Sequence, residues 1–123
     1  MHVLLDTSIL MYLAKKPSFF LDELSSKLGG ERPVVPEPVM EELRGLTRSR
    51  GTKGREARLA LTYASGLRTM RYSGEADDAL VALAAGKDTV VATLDGNLIS
   101  TLRRSGVAVA TVRGDHLLLL GIK

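Results

Sequence analysis

Thr89-Val90-Val91-Ala92-Thr93-Leu94-Asp95-Gly96-Asn97-Leu98 decides how this chain is read. Its first half is an unbroken run of β-branched and small apolar residues, the composition of a buried strand. Its second half sets a hydroxyl, a carboxylate and an amide at alternate positions, Thr93, Asp95 and Asn97. A buried strand that ends in a polar cluster and runs straight into a helical stretch, Gly96–Arg104, is a unit of a parallel α/β fold. The N-terminus shows the same order, with His2–Leu5 followed by Asp6-Thr7-Ser8 and a helical stretch at Ser8–Ala14.

Working outward, further strands are expected at Arg32–Val35, Leu67–Tyr72 and Val107–Val112, each rich in Val, Leu or Thr and bounded by turn residues. Helices are expected at Ser18–Leu28, ending at Gly29-Gly30, and at Pro38–Leu46, Lys53–Gly66 and Glu75–Ala85. Pro38 suits a first helical turn, and Gly86 and Gly106 suit C-terminal caps. Thr47–Gly54 reads as a mobile connection. Short apolar strands alternating with amphipathic helices imply crossover connections, so the fold class is α/β with a mainly parallel sheet. The 123 residues form one domain, 1–123, because a chain of this length closes one core and not two.

Apolar residues make up 45% and charged residues 25% of the chain, which excludes disorder and fibrous classes. There is no cysteine, hence no disulfide frame, zinc finger or thiol nucleophile. With three Tyr, two Phe and no Trp, the chain is poorly supplied for a platform that stacks single-stranded bases. No secretory signal is visible, and the longest apolar runs, Ala79–Ala85 and Leu117–Leu120, fall well short of the roughly 20 residues a membrane helix needs. A soluble cytoplasmic protein is expected. A net charge of +3 and a pI near 9.4 point weakly to a polyanionic partner.

Ligands of open parallel sheets bind beyond the carboxyl ends of the strands. Asp6 ends the first strand and Asp95 lies just past the fourth, so the two carboxylates converge if those strands are neighbours; a helix N-cap role would explain either one alone. In the helix Pro38–Leu46, Val39, Leu43 and Leu46 define an apolar stripe and Glu42 falls on the same face, whereas Glu41 points elsewhere. A carboxylate turned to the core costs several kcal/mol unless it is paired with an arginine or bound to a metal. Asp77 and Asp78 open the apolar helix that follows them; one serves as a cap, and periodicity does not decide which faces inward.

Four segments together resemble the PIN domain: the strand ending in Asp6-Thr7-Ser8, Met40-Glu41-Glu42-Leu43, Asp78-Ala79-Leu80-Val81-Ala82, and Thr93-Leu94-Asp95-Gly96-Asn97. Their order and spacing span nearly the whole chain. The resemblance implies a three-layer α/β/α sandwich around a parallel five-stranded sheet of order 3-2-1-4-5, which makes the first and fourth strands adjacent. It implies an acidic site of Asp6, Glu42, Asp78 and Asp95 with Ser8 and Thr93 as accompanying hydroxyls. Asp77 is kept as a contributor. Asn97 stands where many relatives carry another Asp, which bears on a second metal.

Hard oxygen ligands without His or Cys select Mg²⁺ or Mn²⁺. The expected site holds one ion, or two about 4 Å apart, with Asp6 and Asp95 as principal ligands and Glu42 and Asp78 ligating directly or through water. By resemblance the reaction is hydrolysis of single-stranded RNA. Arg44, Arg48, Arg50, Lys53, Arg55 and Arg58, with Glu56 as the one acid among them, supply phosphate contacts or simply a solvated face. His2 and His116 take no role, and no phosphate-binding glycine loop is present. The resemblance covers two biologies, a VapC-like toxin with an antitoxin partner and a nuclease acting on a ribosomal precursor particle; Val34-Val35-Pro36 and a short strand after Val112 resemble the latter branch. A homodimer is implied in both. A phosphoryl-receiver module is disfavoured because Tyr72-Ser73 and Arg113-Gly114 occupy the places of its phosphoacceptor Asp and its Lys. A catalytically silent RNA-binding domain would not need all four acids.

Overall fold

The computed structural model describes residues 2–16, 22–23, 26–27, 33–86, 88–114 and 116–121. Six strands form one sheet: β1 (His2–Leu5), β2 (Pro33–Pro36), β3 (Arg68–Met70), β4 (Thr89–Ala92), β5 (Ala108–Arg113) and β6 (His116–Leu120). Five helices lie between them among the described residues: α1 (Thr7–Lys15), α2 (Glu37–Leu46), α3 (Gly51–Ser65), α4 (Ala76–Ala84) and α5 (Gly96–Arg104).

The strand order is β3-β2-β1-β4-β5-β6, so the expected 3-2-1-4-5 arrangement is present and β6 extends it. The first five strands pair in parallel, whereas β6 pairs antiparallel to β5, from Arg113 opposite His116 to Val109 opposite Leu120. The short connection between these two strands allows only a hairpin, because a parallel return needs a long crossover. The expected helix Ser18–Leu28 and its Gly29-Gly30 stop fall mostly outside the described residues; Asp22, Glu23, Ser26 and Lys27 are helical, and Lys27 Nζ donates to the Leu117 carbonyl of β6 at 3.1 Å.

Every residue of β4 and three of the four in β1 are buried, including consecutive ones that point to opposite faces. Such strands require helices on both sides of the sheet. Helices α1, α2 and α3 pack on one another, α4 lies against β2 and β4, and α5 against β5. Leu4, Leu5, Leu10, Val35, Val39, Leu80 and Val91 are among the side chains at the core's centre. Pro38 stands in the first turn of α2, and Gly86 and Gly106 take positive φ just after α4 and α5, as expected of C-terminal caps. The connection read as mobile is a turn at residues 47–49 that enters α3 at Gly51, anchored by Arg58 Nη1 donating to the Thr47 carbonyl at 3.0 Å. Among the described residues no helix is long and apolar enough to cross a membrane.

Candidate active site

The chain changes direction across the sheet between β1 and β4, which pair in register from His2 opposite Thr89 to Leu5 opposite Ala92. Leaving the sheet side by side, they deliver Asp6 and Thr93 to the same place; the Asp6 amide still bonds the Ala92 carbonyl at 3.0 Å. Asp6 is 5% exposed, and its Oδ2 accepts from Ser8 Oγ at 2.9 Å and from Thr93 Oγ1 at 2.7 Å. Each hydroxyl, its proton given to Asp6, accepts from the backbone: Ser8 Oγ from the Leu94 amide at 2.9 Å and Thr93 Oγ1 from the Asp95 amide at 3.1 Å. This lattice ties the start of α1 to the loop before α5. Asp6 Oδ1 carries none of these bonds.

Asp6 occupies the N-cap position of α1 but makes no side-chain cap bond, so capping does not account for it. Asp95 does cap: its Oδ1 accepts from the Asn97 and Leu98 amides at 2.9 and 3.3 Å. The Asn97 backbone therefore holds Asp95, while the Asn97 side chain is exposed. Neither Asp77 nor Asp78 makes a cap bond at the start of α4, whose N-cap residue is Glu75.

Glu42 corrects the expectation of a core-facing carboxylate. Val39, Met40 and Leu43 are the buried residues of α2 and Leu46 is only half-buried, so the apolar stripe is turned toward Met40 and Glu42 is exposed at its border. No burial cost then forces a partner on it. Glu41, further round the helix, pairs with Arg44, so Glu42 is the uncommitted member of the pair.

Periodicity left Asp77 and Asp78 undecided, and the packing of α4 separates them. Ala76, Ala79, Leu80 and Ala84 are buried; at about 3.6 residues per turn Asp78 is roughly opposite that side and Asp77 roughly a quarter turn from it. Asp77 accordingly lines a cleft of about 570 Å³ together with Glu37, Glu41, Glu42, Tyr72 and Glu75, and Asp78 does not. The Asp77 carboxyl is pushed above its ordinary value, first by partial burial and then by the charges of Asp6, Asp95, Glu42 and Asp78. Three acids distant in sequence thus act on Asp77 together with its neighbour Asp78. Tyr72, Glu37 and Glu75 carried no sequence signal, since none belongs to a motif; the start of α2 brings Glu37 to this wall, and the loop before α4 brings Tyr72 and Glu75.

The donors are carboxylate and hydroxyl oxygens, a hard set suited to Mg²⁺ or Mn²⁺. Among the described residues no three carboxylates stand close enough to hold an ion together. Glu42 and Asp77 are exposed side chains that no hydrogen bond or ion pair fixes among the described residues, so they are free to reorient. Arg48, Arg50, Lys53, Arg55 and Arg58 are exposed around the turn from α2 into α3, while Glu56, the acid among them, faces Lys15 of α1 at 3.6 Å. His2 is exposed at the start of β1, the end of that strand opposite Asp6, and His116 is exposed at the start of β6, paired opposite Arg113.

A family model described as a PIN like domain matches residues 3–115. The chain belongs to the PIN-like domain family. A relative, Ribonuclease VapC4 of Methanocaldococcus jannaschii, is 32% identical over 114 residues, covering 88% of this chain and 87% of the relative. A solved PIN structure, that of the PIN domain endonuclease Utp24, superposes with a TM-score of 0.79 at 26% identity, covering 98% of this chain and 92% of that one.

Proposed function

We propose that this PIN-like chain is an endoribonuclease that hydrolyses phosphodiester bonds of single-stranded RNA using Mg²⁺ or Mn²⁺. One observation carries the reading: Asp6 is locked at the β1–β4 junction by Ser8 and Thr93, the Asp95 amide bonds the same Thr93 hydroxyl, and Asp77 feels the charges of Asp6, Asp95 and Glu42. A bound cation at such a site polarises the scissile phosphodiester and lowers the pKa of water. Asp6 presents Oδ1 and Asp95 presents Oδ2, each carboxylate already oriented through its other oxygen. Glu42 and Asp77 orient the attacking water, and the raised Asp77 carboxyl is the better proton acceptor of the two. Asp78, turned outward, adds negative potential rather than a ligand.

The assay that tests this compares RNA cleavage by wild type with Asp6→Asn and Asp95→Asn in Mg²⁺, Mn²⁺ or EDTA. Folded variants that cut as fast as wild type sink the mechanism. The exposed Arg48, Arg50 and Lys53 are the proposed phosphate contacts, with Arg55 beside them and Arg44 partly engaged by Glu41. Replacing those three with Ala flattens the fall of RNA affinity with salt; an unchanged slope removes the assignment.

Similarity to VapC4 supports the toxin of a toxin–antitoxin pair, and a tightly co-purifying antitoxin is its test. Strand β6 and the likeness to Utp24 support the second reading, a processing nuclease for ribosomal precursors, tested by specific cleavage of precursor rRNA. The family resemblance is what supports a homodimer and a cytoplasmic location.

A further inference from the structure

The cleft beside the catalytic carboxylates has a wall that the hydrolytic chemistry does not use. Tyr72 is half-buried there, and its ring lies against the backbone of Gly74: a Cβ on Gly74 would come within 2.9 Å of Tyr72 Cε2. Gly74 also takes φ +142, so both its conformation and the seated ring exclude a side chain. The ring therefore lies close against the chain at Gly74, and it belongs to the same cleft as Glu42 and Asp77.

What can enter is limited by charge and size. Glu37, Glu41, Glu42, Glu75 and Asp77 line the cleft and no basic residue does, so a phosphate is repelled. A neutral, flat group rich in N–H donors is accepted, and about 570 Å³ is ample for a nucleobase, since sites for small ligands run from about 300 to 1,000 Å³. Carboxylates accept from an exocyclic amine such as cytosine N4, whereas the O4 carbonyl that replaces it in uracil would face them acceptor to acceptor.

We propose that this cleft takes the nucleobase next to the scissile phosphate, stacked on Tyr72, and selects a base bearing an exocyclic amine over uracil. The proposal rests on the ribonuclease reading, deepening it from RNA in general to a preferred base at one position. The backbone stays outside, between the carboxylate site and the arginines of the α2–α3 turn. One seated ring replaces the stacking platform that the composition could not supply.

The test uses single-stranded RNAs whose nucleotide on each side of the mapped cut is in turn cytidine, uridine or abasic. At one of the two positions cytidine is cut with a kcat/KM roughly 10-fold above uridine. Tyr72→Leu raises KM roughly 10-fold for the cytidine RNA and leaves the abasic RNA unchanged, while Tyr72→Phe restores the wild-type KM. Equal effects of Tyr72→Leu on cytidine and abasic RNA, or no preference for cytidine at either position, overturn the proposal. Anisotropy of the same RNAs on Asp6→Asn protein reads the preference without cleavage. Base-dependent binding with no cutting by wild type therefore sinks the nuclease reading alone, and cutting without base preference sinks this proposal alone. Displacement of Tyr72-dependent binding by an arginine-rich peptide, with no base preference, assigns the cleft to a cationic protein segment and also overturns it.

Discussion

The two walls of the site are built differently. At the strand ends, Asp6 and Asp95 each have one oxygen committed to hydrogen bonds with hydroxyls or backbone amides, and those bonds also join α1, β4 and α5. On the helix wall, Glu42 and Asp77 are exposed and none of these bonds holds them. The first wall is preorganised by the sheet; the second is adaptable and held apart by its own repulsion. Rigid groups suit a fixed ligand position, and mobile ones suit a water or a substrate that must come and go.

This contrast is open to measurement. The largest effect is expected from Asp6→Asn, which keeps the shape of the rigid wall and removes its charge: kcat falls on the order of 10³-fold or more, as expected when several kcal/mol of electrostatic stabilisation are lost. A comparable loss from Glu42→Gln alone would show the helix wall to be just as critical. Thr93→Val comes next, since it deletes a donor to Asp6 and an acceptor for the Asp95 amide. Activity or metal affinity drops roughly 10- to 100-fold, as for other side chains that orient ligands. An effect under twofold would mean that the lattice does not position Asp6.

On the adaptable wall, Asp77→Asn lowers activity roughly 10-fold while Asp78→Asn changes it little; the reverse order would return the role to Asp78. Because the Asp77 carboxyl is raised, the folded chain holds that proton more tightly than the unfolded chain does. Its ionisation therefore costs stability, and the cost is absent below about pH 4 and fully present above the raised value. Asp77→Asn should raise Tm at neutral pH and not below about pH 4, and Mg²⁺ should raise the wild-type Tm more than that of the variant. The smallest effect belongs to Thr7, whose buried Oγ1 has no hydrogen-bond partner among the described residues although its neighbours Asp6 and Ser8 bond each other. Thr7→Val removes that orphan at constant shape and should stabilise by about 1 kcal/mol, with cleavage unchanged; a loss of activity would place Thr7 inside the lattice.

Much of this was legible because it is local. His2–Leu5 and Thr89–Ala92 announce themselves by composition, and the residues that follow each are polar because those strands end at a site. Glu42 was preferred to Glu41 as a core-facing carboxylate, and the packing overturns that reason: the stripe of α2 runs through Met40 and not Leu46, which the sequence pattern fits nearly as well. Tyr72 was invisible because the sequence reads it as the last residue of a strand, Leu67–Tyr72, whereas β3 stops at Met70 and leaves it in the following loop.

Alternation of apolar strands and amphipathic helices, together with acids placed after strands, by itself determined the α/β class and the positions of Asp6 and Asp95, since those features follow from backbone periodicity and from where strands stop. Only the tertiary structure decided that Asp77 and not Asp78 enters the cleft, and that Tyr72 sits on Gly74 in the cleft that Glu42 lines. These depend on how helices rotate against the sheet and how a loop is seated, which are set by contacts between residues far apart in the chain.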